Sequence, residues 1–117
     1  MKMCKIKENN GGVLVENVAI ATSTLSRMKG LMFAGSMPNC DGFLIDPCNS
    51  IHTFFMRFNL DIAFISKNNE IVHIEKNMKP WRATRIHFKS RKVLEMKAGT
   101  MSEKLKVGTK VEIECIN

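Results

Sequence analysis

No apolar run in this chain approaches the ~20 residues that a membrane-spanning helix needs. The start, MKMCKIKENNGG, is basic but has no apolar core behind it, so it does not read as a secretory signal. A cytoplasmic chain is the expectation, exported only if a leader was removed. Four cysteines are present, Cys4, Cys40, Cys48 and Cys115, and none forms a C-x-x-C pair. Zinc signatures of that kind are therefore missing. His52, His73 and His87 show no H-x-x-x-H or H-x-H spacing, and with Asp61 they are scattered over three segments. No metal and no cofactor is expected. There is no RNP-like stretch and no zinc finger, so nucleic-acid binding has no motif behind it. Internal repeats and low-complexity linkers are lacking too, and residues 1–117 read as a single domain.

What is present in excess is positive charge, a formal +7 at pH 7. That balance draws phosphates, acidic lipids or acidic proteins, but says nothing of fold. Seven of the basic residues crowd into 76–92, among them Arg82 and Arg85, with Trp81, His87 and Phe88 between them. Pro80 disfavours helix at Lys79. The segment reads as a long loop with a short extended piece at 84–88.

The most apolar part of the chain is Ser50–Ser66, SIHTFFMRFNLDIAFIS, which nonetheless holds His52, Arg57 and Asp61. Every second residue from His52 to Phe64 is apolar except His52 itself. A period of two with aromatic and β-branched residues predicts strand. The run is too long for one ordinary strand, so two are expected, 51–57 and 60–66, with a break at Phe58-Asn59.

The other elements follow from local patterns. Strands are expected at 3–7 and 13–21, joined through the Asn9-Asn10-Gly11-Gly12 turn. The second has an interruption at Glu16-Asn17. Apolar residues at helical spacing after Thr22–Thr24 predict a helix over about 23–31. Further strands are expected at 42–46, 70–75, 93–97 and 111–115, with 70–75 in a hairpin with 60–66. Thr100 and Glu103 form a capping-box pattern, predicting a helical turn at 100–104. Short strands with frequent turns predict a mainly β fold, an antiparallel β-sandwich or barrel-like (jelly-roll type) domain with one α-helix and a short helical turn. Cys4 and Cys115 fall in the first and last strands. A disulfide between them requires those strands to be neighbours and the surroundings oxidising.

Four pieces, taken in order, carry a resemblance. They are Arg27-Met28-Lys29-Gly30-Leu31-Met32, the central SIHTFFMRFNLDIAFIS, Lys79-Pro80-Trp81-Arg82, and Val93-Leu94-Glu95-Met96-Lys97-Ala98-Gly99-Thr100. Together they resemble the DUF192 (UPF0127) family of uncharacterised proteins, over about residues 12–116. The resemblance implies a mainly β sandwich or jelly-roll domain and no assigned activity. Many relatives look exported or lipid-anchored. Relatives usually carry Pro where this chain has Asn59, and the family pattern places an Arg ahead of Gly-Leu-Met, here Arg27.

Charges inside an apolar stretch need partners. Arg57 and Asp61 are expected to pair with each other or with backbone, or to floor a cleft where Arg57 holds an anion. His52 reads as a rim or core residue, with Cys48 near enough in sequence to raise a Cys–His nucleophile. Trp81 is either a core anchor for its loop or, with Arg82, a ligand contact. The reading adopted is a small binding or accessory domain for an anionic or sugar-like ligand, at Arg27, His52, Arg57, Asp61, Trp81 and Arg82. The alternatives are a small Cys/His- or Asp-based hydrolase, and a basic surface for nucleic acid or acidic partners.

Overall fold

The computed structural model describes residues 2–22, 35, 37 and 39–116. Its elements are seven strands: β1 (Lys2–Glu8), β2 (Val13–Ala21), β3 (Gly42–Ile45), β4 (Leu60–Ile65), β5 (Ile71–Met78), β6 (Lys92–Lys97) and β7 (Val111–Ile116). They form one sheet in the order β5-β4-β6-β3-β2-β1-β7. The sheet curls until its two edges touch. An isolated bridge joins Glu70 to Lys110, and the Ile71 amide donates to Thr109 at 2.9 Å. The fold is mainly β, as expected, but it is a single curled sheet. It is not wholly antiparallel either, because β2 and β3 run parallel. A parallel neighbour needs a long crossover, and segment 22–41 supplies it.

Alternation explains the two cores. Leu44, Ala63, Ile65, Leu94 and Met96 point inward and meet residues from every other strand, with Met101 and Leu105 from the 98–110 turns. Phe43, Ile45, Ile62, Phe64 and Val93 point outward, where Ile51 and Met56 of the 46–59 loop cover them. β4 is therefore buried along its whole length. That is why its sequence reads as a continuous apolar run rather than a clean alternation.

The first and last strands are neighbours, with Cys4 opposite Cys115, and a disulfide joins the two. The interruption expected at Glu16-Asn17 is a bulge instead. Between the Cys4↔Val18 and Ile6↔Val15 pairs, one residue of β1 faces two of β2. Both bulge residues are exposed, and β2 continues through them.

Two expectations need correction. Residues 51–57 do not form a strand. The Met56 amide closes a turn on the Thr53 carbonyl at 3.1 Å, with Phe55 at φ 65, and this breaks the extended path. The helical turn at 100–104 is absent. The Thr100 hydroxyl donates back to the Lys97 carbonyl at 2.6 Å rather than capping forward, and Leu105 N closes a β-turn on Ser102. No helix occurs among the described residues, and the helix expected over 23–31 lies outside them.

Candidate functional site

Two irregular segments pair along the outer face of the sheet. The 79–91 loop leaves β5 beside Leu60 and returns to the other end of β4, where the Arg91 amide donates to Ile65 at 2.8 Å. On the way it makes a loose antiparallel ladder with 49–53. His52 bridges to Ala83, Thr84 N donates to Ile51, and His87 N donates to Asn49.

Thr53 holds this ladder together. It is fully buried. Its hydroxyl donates to the Lys79 carbonyl at 2.6 Å and accepts the Arg82 amide at 2.9 Å. Its carbonyl accepts the Trp81 amide at 3.0 Å. One side chain thus satisfies polar groups that the sheet leaves open, as buried backbone requires.

The clamp has an outward consequence. Trp81 sits at φ 64 and Phe55 at φ 65, in the left-handed region that bulky residues avoid. Trp81 is 57% exposed, so it is not a core anchor. Its ring meets Phe55 edge-on, centroids 4.7 Å apart, and lies alongside Phe54 at 5.9 Å. Phe54 stacks in turn on His52 at 4.9 Å. Four rings therefore form one continuous exposed patch. Arg82, Lys79 and Arg57 are exposed beside it in sequence, and the Arg82 guanidinium lies 3.4 Å from the Trp81 carbonyl.

Asp61 does not belong to that patch. It is 2% exposed, and its carboxylate accepts the amides of Asn77 and Gly99, each at 2.9 Å. Lys76 lies 4.0 Å away. Asp61 thereby fastens a β5 bulge and the 98–99 turn to β4. Of the two partnerships expected, Asp61 makes the one with backbone, and the one with Arg57 is not formed. Arg57 is exposed, and no ion pair among the described residues joins the two. A hollow floored by these two charges is therefore not what the fold builds. The structure brings together His52, Trp81 and Arg82, leaves Arg57 in solvent and sets Asp61 apart. Arg27 lies outside the described residues.

The components of a Cys/His or Asp hydrolase are each engaged separately. The Cys48 thiol donates to the Ser50 carbonyl at 3.1 Å. The His52 Nδ1 accepts the Phe54 amide at 3.3 Å, and Asp61 serves backbone groups. Burial pushes the Cys40 thiol above its usual range, which favours the unreactive protonated form.

Glu95 is the charged residue that the sequence reading passed over. It lies on β6 between Phe43 of β3 and Ile62 of β4, on the outer face, and is 4% exposed. Burial raises its pKa to about 8, so the carboxyl is largely protonated at neutral pH. The signal was in the sequence: an acid between Leu94 and Met96 in a strand whose two faces both turn out to be buried. His73 and His87, scattered over separate segments in the sequence, come together in the fold, stacked with centroids 4.3 Å apart against Phe64. His73 is bonded to Glu75 at 2.8 Å. Burial first, then the His73 and Arg85 charges, lowers the His87 pKa.

Residues 5–113 match the model of the DUF192 family, described as "Uncharacterized ACR". The chain belongs to the DUF192 family. A UPF0127 protein of Thermococcus sibiricus is 31% identical over 81 residues, covering 66% of this chain and 52% of that protein. The chain thus spans about half the length of this relative. Among solved structures, a Novosphingobium aromaticivorans protein of unknown function superimposes with a TM-score of 0.76 at 23% identity, covering 94% of this chain and 83% of that one. A putative transcription regulator of Sinorhizobium meliloti gives 0.73 at 24% identity, covering 97% and 92%. At such identities the likeness concerns the fold. Asn59 stands at the break before β4, where its carbonyl accepts Ala98 N and its amide donates to Asn77. These bonds hold the break.

Proposed function

We propose that this DUF192 domain binds a sugar-like ligand that carries a carboxylate or phosphate, on the patch formed by His52, Phe54, Phe55, Trp81 and Arg82. The observation behind this reading is the presentation of Trp81. An indole more than half exposed, held at positive φ by a buried clamp, is costly for folding alone. Backbone strain of this kind collects where binding needs a fixed geometry. Ring faces stack on the apolar face of a sugar, and a neighbouring guanidinium suits its carboxylate or phosphate. Arg57 belongs to the proposal as an outer contact.

Trp81 is the single tryptophan, so its emission reports the patch directly. Titration with uronic-acid oligosaccharides and sugar phosphates is expected to change that emission saturably, with a Kd of about 1 mM or tighter. Trp81→Ala, followed by calorimetry, abolishes the binding, and Arg82→Ala weakens it about tenfold, as expected for a charge-assisted contact. Flat titrations across both ligand classes overturn the reading.

A further inference from the structure

The opposite end of the molecule carries a different surface. Trp81 lies near the start of β4. Phe88 lies near its end, where Arg91 meets Ile65. Six residues of strand separate those ends, on the order of 20 Å.

At this second end, large apolar side chains are exposed, Phe88 and Val107 in turns and Ile86 in the extended piece before Phe88. Phe88 is 88% exposed, Ile86 51% and Val107 61%. Phe88 and Lys89 wall two grooves at once, one of about 580 Å³ and one of about 620 Å³, with Val72 at the base of both. Phe88 is therefore a rib between hollows and not the lining of one pocket. The rim around it is cationic. Lys67, Arg91 and Lys110 flank the first groove and Arg85 the second, with Glu70 as the carboxylate in the lining and Arg91 itself paired to Asp46 at 3.2 Å. Val107 stands in the turn whose Gly108 amide donates to Ile71, so it shares the closed end of the sheet with Lys110.

We propose that this closed end docks on an anionic phospholipid surface, with Phe88 and Ile86 entering the headgroup layer and Lys67, Lys89 and Lys110 resting on phosphates. The mixture of chemistry favours a bilayer over a folded partner. Exposed apolar side chains, Phe88 and Ile86, share their grooves with Lys67, Arg85, Lys89 and Lys110. A bilayer presents negative charge outside and hydrocarbon beneath, and so meets both kinds of group. A rigid protein or nucleic acid would instead have to supply a separate socket for each apolar side chain. Long lysine side chains suit the rim because their stems lie along apolar surface while the ammonium stays wet. Exposed apolar residues scattered singly need no explanation, but Ile86 and Phe88 lining one groove beside Arg85 and Lys89 do.

The test is flotation of the whole chain with phosphatidylcholine vesicles, with and without phosphatidylglycerol. Binding is expected only with phosphatidylglycerol, and it weakens as salt rises. Phe88→Ser reduces it about tenfold or more, the value of burying one large apolar side chain. Lys67→Ala with Lys110→Ala also reduces it, and all these positions are exposed, so folding is retained. A second readout is fluorescence. Phe88→Trp gains a blue-shifted component on anionic vesicles, whereas the native Trp81, at the far end, does not shift. Failure to float with anionic vesicles at low salt overturns the proposal. So does binding that Phe88→Ser leaves unchanged, or an oligonucleotide that binds through Phe88 while vesicles do not. Loss of the sugar-like ligand site leaves this result untouched, since the two surfaces share no residue.

Discussion

The Thr53 hydroxyl accepts the Arg82 amide, a sequence separation of 29, at 2.9 Å, and at the same time donates to the Lys79 carbonyl. This one oxygen fixes the direction in which Trp81 leaves the surface.

Thr53→Val keeps the shape and removes both bonds. The Arg82 amide and Lys79 carbonyl then lose their partner, which costs about 1–3 kcal/mol per unsatisfied group. Chemical unfolding is expected to show that loss. Acrylamide quenching of Trp81 in the folded protein is expected to rise, because the indole gains freedom.

Asp61→Asn tests the opposite role. An uncharged amide oxygen can still accept one of the two backbone amides, but its NH2 group repels the other. The expected loss is about 2 kcal/mol of stability, with ligand titrations at the Trp81 patch unchanged. A change in ligand affinity without a change in stability would place Asp61 in the binding surface after all.

Glu95 makes stability depend on pH. Its pKa is about 8 when folded and near 4.5 when unfolded. Below pH 4.5 both states are protonated, and the apolar site holds a neutral acid. Between these values the unfolded chain has lost the proton and the folded one keeps it. Stability therefore falls as pH rises, and the loss is complete above the folded pKa. The drop is on the order of 4 kcal/mol. Urea midpoints measured across this range should slope downward in the native protein and less in Glu95→Gln. The His87 shift acts in the other direction, on the acid side, and is common to both proteins.

Cys4 and Cys115 are 111 residues apart in sequence and face each other across β1 and β7. Closing so long a loop restricts the unfolded chain, a stabilisation of about 3–5 kcal/mol. Reduction is expected to lower the unfolding free energy by that amount. Thiol counting under denaturing conditions should find the thiols of Cys40 and Cys48 before reduction and all four cysteines after it.

Much of the sheet was legible because alternation and turns are local. The Asn-Gly turn, the β4–β5 hairpin and the clean VEIEC alternation each lie within a few residues. The parallel β2–β3 pairing was not legible, since nothing local marks a crossover's destination. Residues 51–57 misled for a related reason. Their period of two is genuine, but the hydrogen bonds that would extend a strand go to Lys79, Trp81 and Arg82, far away in sequence. The same long-range clamp explains why Trp81 could be read equally as core or contact. Arg57 and Asp61 looked like partners because both lie in the most apolar stretch of the chain. The turn at 53–56 and the Asn59 break send them to different surroundings, and only coordinates show that.

The contact between Glu70 and Lys110 has a further effect. A sheet's outermost strands offer unpaired amides and carbonyls to any passing extended chain. Here the two outermost strands, β5 and β7, occupy each other at one end and diverge toward the other. Strand addition from outside is therefore hindered where Glu70 and Ile71 meet Thr109 and Lys110, and the edge open to a foreign ribbon lies toward the diverging end.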